Sequence, residues 1–130
     1  MTEKIDDRRK YLQGQPAHMT VSQQFRLLLN MLKKDFPPEH PIKVRRVNKE
    51  SLSSDTPLFG TCSLVNQNKP KAKRYFVITL CKTNPWSVQT DTLLHEWAHA
   101  LTWYQLVDGK DHGDVFARKY GVLYREYIED

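Results

Sequence analysis

Apolar side chains recur every three or four residues from Val21 onward. Val21, Phe25, Leu28, Leu29 and Leu32 fall on one stripe, which predicts an amphipathic helix ending near Lys34. Thr20 followed by Gln23 has the form of a capping box at its start. Phe36-Pro37-Pro38 stops it, because proline cannot continue a helix and disfavours the helical conformation in its predecessor. The period then changes. Ile42, Val44 and Arg46 alternate with Lys43, Arg45 and Val47, which predicts a short strand with mixed faces. Residues 48–57 read as a loop. Residues 59–65 and 74–81 read as a second and third strand, the latter rich in β-formers, with a polar basic loop at 66–73 between them. Asn84-Pro85 breaks the third strand. A long helix follows from Ser87 or Asp91 to Leu106, with Leu93, Leu94, Trp97, Ala98 and Leu101 on its apolar side, and Asp108-Gly109 ends it. Asp111 is placed to cap a last helix over 112–128, where Val115, Phe116, Tyr120, Leu123 and Tyr127 repeat at helical spacing. This order predicts an α+β domain with an N-terminal helix, a small three-stranded antiparallel sheet and two further helices. Residues 1–18 are polar and aperiodic and read as a mobile arm, and 19–130 as a single domain.

Composition narrows the class. The mean hydropathy is -0.66 and no run of about 18 apolar residues exists, so no membrane span is expected. The N-terminus has charges but no apolar core segment of a secretory signal, and the expected compartment is cytoplasmic. Cys62 and Cys81 form no C-x-x-C pair, which excludes an all-thiolate zinc ribbon. They read as reduced, partly buried thiols, with a disulfide across neighbouring strands as the alternative. The net charge of +5 is uneven: residues 1–90 carry 16 Lys+Arg against 7 Asp+Glu, and residues 91–130 carry 4 against 8. A basic surface suggests a polyanionic partner such as DNA or other nucleic acid, and simple solvation is the bland alternative. Lys71, Lys73 and Arg74 are the candidate contacts; Lys43, Arg45 and Arg46 join them if the strands pair, and Tyr75 or Phe76 adds base stacking if exposed.

The candidate chemistry lies in the long helix. His95-Glu96-Trp97-Ala98-His99 is an H-E-x-x-H sequence. Residues i and i+4 are neighbours on one helix face, so two imidazoles there can reach one zinc ion, while Glu96 lies beside the metal as a general base. Zinc lowers the pKa of a bound water toward about 7 and polarises a carbonyl. A hydrolase of this type needs a third protein ligand. A metzincin would place glycine and histidine where Thr102 and Gln105 stand, so that class fails. His112, after a sharp turn at the start of the last helix, is preferred, with Glu126 as the alternative. Asp108, Asp111 and Asp114 crowd the turn as second-sphere acceptors or helix caps. His18 and His40 read as bystanders, Trp97, Trp103 and Tyr104 as core or rim, and Tyr120 and Tyr124 as packing residues within reach of a reacting carbonyl.

In this order of motifs the sequence resembles the SprT-like metallopeptidases, the family that includes Spartan. Gly60-Thr61-Cys62-Ser63 looks like the family's G-x-C-S strand and Ile78-Thr79-Leu80 like the strand after it. Thr92-Leu93-Leu94-His95-Glu96 with His99-Ala100-Leu101 looks like its active helix, and Asp111-His112-Gly113 with Phe116 like its third-ligand turn. The likeness spans about residues 21–123. It implies a compact zincin-like α+β core, one zinc ion on His95, His99 and His112, and Glu96 as catalyst. Spartan itself cleaves DNA-crosslinked proteins with DNA stimulation; within residues 1–130 no counterpart is expected of the cysteine-rich module and binding tails that follow the protease domain in many relatives. The leading expectation is zinc-dependent peptide hydrolysis, with nucleic-acid-associated proteins as candidate substrates. A nucleic-acid-binding protein with a structural zinc is the alternative, and a metal-dependent nuclease a third.

Overall fold

The computed structural model describes residues 20–48, 59–105 and 113–128. The proposed arm at 1–18, the loop at 49–57 and His112 lie outside them. Helix α1 spans Val21–Asp35, close to the periodic stretch. Its capping box is complete: Thr20 Oγ1 accepts from the Gln23 N–H at 3.1 Å, and Gln23 Oε1 accepts from the Thr20 N–H at 2.9 Å. The two bonds satisfy donors that a helix start otherwise leaves orphaned. Lys33 and Lys34 in the last turn oppose the negative end of the helix dipole.

Three strands follow: β1 (Ile42–Val47), β2 (Gly60–Val65) and β3 (Tyr75–Cys81). A single turn of 3-10 helix, Lys71–Lys73, interrupts the expected basic loop. The sheet is mixed, which corrects the antiparallel expectation. Its order is β1-β3-β2, with β2 antiparallel to β3 and β1 parallel to it. The physical reason lies in the strands themselves. β3, Tyr-Phe-Val-Ile-Thr-Leu-Cys, is the most apolar strand and takes the centre, while the charged β1 takes an edge. β1 and β2 thus lie on opposite edges with β3 between them, and β1 meets β3 in parallel.

Alternation along β3 separates the two faces of the sheet. Phe76, Ile78 and Leu80 are fully buried and join the helices' apolar residues in one core. The register puts Ile42, Val44 and Arg46 beside them on β1 and Gly60, Cys62 and Leu64 on β2. The opposite face carries Lys43, Arg45, Tyr75, Val77, Thr79, Thr61 and Ser63.

Helix α2 spans Trp86–Leu101, starting directly after Pro85. It ends five residues before the expected Leu106. Thr102 stops it: its hydroxyl donates to the Ala98 carbonyl at 2.8 Å, and its φ of -109° leaves the helical range. Trp103 then turns to pack edge-on against Phe76, with ring centroids 5.5 Å apart. Helix α3 spans Asp114–Tyr127. Its N-cap is Gly113, two residues beyond the Asp111 expected there, and among the described residues no side chain caps it.

α2 is fixed at both ends. Gln89 accepts from Arg46 Nε on β1 at 2.9 Å and donates to the Asn84 carbonyl at 2.7 Å. The fully buried Trp97 donates from Nε1 to the Phe36 carbonyl at 2.9 Å, tying α2 to the end of α1. Tyr127 on α3 donates to Asp35 Oδ2 at 3.2 Å. Both cysteines are free thiols, Cys62 half-buried and Cys81 buried. None of the described helices is long and apolar enough to cross a membrane.

Candidate metal centre

α2 turns one face to the core and another to a cleft. Leu93, Leu94, Trp97 and Ala98 anchor the core side without exposure. That anchoring directs His95 and His99, four residues apart, to the other side. Their rings lie 4.9 Å apart at 78°. One ligand atom from each of His95, Glu96 and His99 lies within 4.8 Å of the others, so these three residues form a group able to hold a metal ion.

Glu96 is 5% exposed, and its Oε2 has no hydrogen-bond partner among the described residues. Its Oε1 lies 3.5 Å from His95 Nδ1. A buried carboxylate oxygen with no partner is costly, and a cation or its bound water would relieve that cost. The residues present therefore fit a metal. Cys62 on β2 stands close to the same carboxylate. Burial first, and then the Glu96 charge, push its thiol up to about 12.

The group opens into a cleft of about 960 Å³. β2 supplies Gly60, Thr61 and Cys62 to one wall, α2 supplies Asp91 and Thr92 beside the metal residues, and α3 supplies Tyr120 and Tyr124. Gly60 is required by close approach: a Cβ there would sit 2.7 Å from the Thr79 carbonyl oxygen and 2.9 Å from Thr92 Cγ2. β2 and α2 thus meet at the cleft with the Thr92 methyl packed directly on the Gly60 backbone.

α3 lays an aromatic wall against the two imidazoles. Phe116 stacks on His99 at 4.2 Å and 25° and meets His95 edge-on at 5.0 Å. Tyr120 meets His95 edge-on at 5.5 Å and donates its hydroxyl hydrogen to Asp91 Oδ1. Burial first, then this bond and the Asp91 charge, hold the phenol above its ordinary range. Asp91 was absent from the sequence-based candidates. Its position four residues before His95, on the same helix face, was the available signal. Tyr120, read as packing, also lines the cleft.

Among the described residues, Glu126 is not part of the metal group. His40, read as a bystander, is buried, and its Nε2 lies 2.8 Å from the Tyr104 hydroxyl. The basic candidates separate. Lys71 pairs with Glu39, whose carboxyl is held below its usual range by the Lys71 hydrogen bond and then by its charge. Arg74 donates to the Lys69 carbonyl at 3.0 Å and to the Tyr104 hydroxyl at 3.5 Å. Lys73 is exposed.

Comparison with known proteins gives the same direction. No curated protein and no solved structure matches the chain. The model of the SprT-like family, a family of metallopeptidase-like domains, matches residues 21–122. That stretch takes in α1, the whole sheet, α2 with its three metal-group residues, and most of α3, and the chain belongs to the SprT-like family.

Proposed function

We propose that the chain is a zinc-dependent metallopeptidase of zincin-like architecture. The observation that carries this reading is the meeting of His95, Glu96 and His99 within 4.8 Å at the floor of a large open cleft. His95 and His99 would hold the ion, with His112 as third ligand. Phe116, four residues after His112, stacks on His99, which supports a ligand arriving from the start of α3. Zinc in such a site supplies Lewis acidity, polarising a carbonyl and acidifying a water.

The chain's own residues supply the rest. Glu96 accepts the proton of the attacking water at a carboxylate oxygen and returns it to the leaving amine. Its burial keeps that carboxylate out of bulk water, and the absence of a partner on Oε2 leaves it free for the proton. β2 is an edge strand along the cleft, and an extended peptide can pair with such an edge through main-chain hydrogen bonds. A structural zinc site would have no use for a buried glutamate that keeps one oxygen open beside the histidines, which favours the enzyme over the binding protein. Nucleic acid is proposed as a second partner, on the basic side of the molecule, and nucleic-acid-associated proteins as the substrate class.

The test combines metal analysis with proteolysis. Purified protein should carry one zinc per chain and cleave an unstructured protein such as casein, and a chelator should abolish cleavage. A folded, metal-free protein that takes up no zinc would sink the reading.

A further inference from the structure

We propose that the Asp91–Tyr120 hydrogen bond is a latch that seats the aromatic wall of α3 against His95 and His99, making Asp91 and Tyr120 positioning residues for metal binding. The proposal rests on the metallopeptidase reading of the same site.

Asp91, His95 and His99 succeed one another at four-residue intervals, so all three share one face of α2. Tyr120 reaches across from α3 and donates to the first of them. Its ring is then held edge-on to His95 and nearly parallel to Phe116, at 29° and 6.0 Å. Phe116 in turn covers both imidazoles. The rings therefore form a continuous series from the Asp91 carboxylate to the two candidate ligands.

The rest of α3 explains why a latch matters here. The helix starts at Gly113, a residue with no side chain to cap it. Its far end is tied to α1 through Tyr127 and Asp35, away from the metal group. A hydroxyl donating to a carboxylate is one of the stronger hydrogen bonds a side chain makes. Without it, the Tyr120 ring is free to swing into the open cleft, and the imidazoles lose part of the surface that restricts their rotation. Groups that orient ligand imidazoles without touching the metal commonly change metal affinity.

The experiment is a competition titration of zinc, with the cobalt(II) absorption spectrum as a second readout, on metal-free wild type and three variants. Tyr120→Phe keeps the ring and removes the donor. Asp91→Ala removes the acceptor. Asp91→Asn removes the charge and keeps an acceptor oxygen. Tyr120→Phe and Asp91→Ala should each weaken zinc binding by about 10-fold and alter the cobalt spectrum, while Asp91→Asn stays within about twofold of wild type. Wild-type affinity in both Tyr120→Phe and Asp91→Ala overturns the latch, even if their melting temperatures fall, since that marks a purely structural bond. Equal weakening in Asp91→Asn and Asp91→Ala also overturns it, by assigning the effect to charge. No zinc binding by folded wild type overturns the metallopeptidase reading and the latch together.

Discussion

At the scale of single residues, Glu96 sets activity against stability. Its side chain is buried and one oxygen has no hydrogen-bond partner among the described residues, so the metal-free fold carries a desolvation cost there with no compensating bond. Glu96→Gln removes the charge at nearly constant shape. The metal-free variant should therefore melt no lower than wild type, which a thermal scan checks. Its cleavage rate should fall by about 10²–10⁴-fold, the usual worth of a general base, while zinc content is kept. Zinc lost along with activity would make Glu96 a ligand instead. Cys62 reports on the same carboxylate. With its thiol pushed up to about 12, thiolate is scarce at pH 8, and alkylation of metal-free protein should be slow. Glu96→Gln removes the smaller of the two causes and should speed the reaction modestly. The same shift bears on stability. The unfolded chain loses this proton from about 9 upward and the folded chain only near 12, so stability falls as pH rises through that window. Cys62→Ala should flatten the alkaline slope of the melting temperature; an unchanged slope would assign it to other groups.

At the scale of elements, the helices were largely legible in the sequence and the sheet was legible only in part. A helix declares itself through nearby residues: the apolar stripe of α1 and its Thr20–Gln23 box lie within one segment, and both were found. Strand order depends on which segment is apolar enough to sit between two others, and that is a comparison across the chain. Hence the parallel β1–β3 pair was missed. The end of α2 was misplaced for a similar reason, because Trp103 leaves the helix to reach Phe76, a partner 27 positions away in sequence. Both histidines of the metal group and Glu96 were readable because they lie close together on one helix. The Tyr120–Asp91 bond joins two helices, and periodicity within either could not reveal it. Gly60 is where strand and helix meet, and a side chain there tests that contact. Gly60→Ala puts a Cβ against backbone oxygen at 2.7 Å, which cannot be relieved by a rotamer change. It should cost about 1–3 kcal/mol, the range for overpacking, read by denaturant unfolding. It should also impair cleavage in the surviving folded fraction, since β2 lines the cleft. Wild-type stability would mean that β2 can move away without loss.

At the scale of the whole molecule, the basic side chains and the acidic groups of the cleft come from different parts of the chain. The acidic last forty residues supply Asp91 and Glu96 to the cleft, and the basic remainder supplies the sheet's outer face. There the register brings Lys43 and Arg45, both exposed, beside Thr79 and Val77, and places the Lys43 ammonium 4.6 Å from the centre of the Tyr75 ring. Exposed Ser63 lies on the same face, across β3. Basic groups, an aromatic ring and hydroxyls on one sheet face suit a phosphate backbone and stacked bases. Lys71 and Arg74 are less suited than the sequence implied, because Glu39 and Tyr104 already engage them. The expectation is that a labelled single-stranded oligonucleotide binds at low salt and is released as salt rises, with a log–log slope of about −0.7 per phosphate contact. Lys43→Glu with Arg45→Glu should remove most of that affinity and flatten the slope by roughly two contacts. Lys71→Glu should do less, since the glutamate pair already offsets the charge it removes. Equal losses in the two variants would spread the interaction over the whole basic surface. No binding at low salt would leave Lys43 and Arg45 as solvated edge-strand charges, which serve to keep β1 from pairing with other chains.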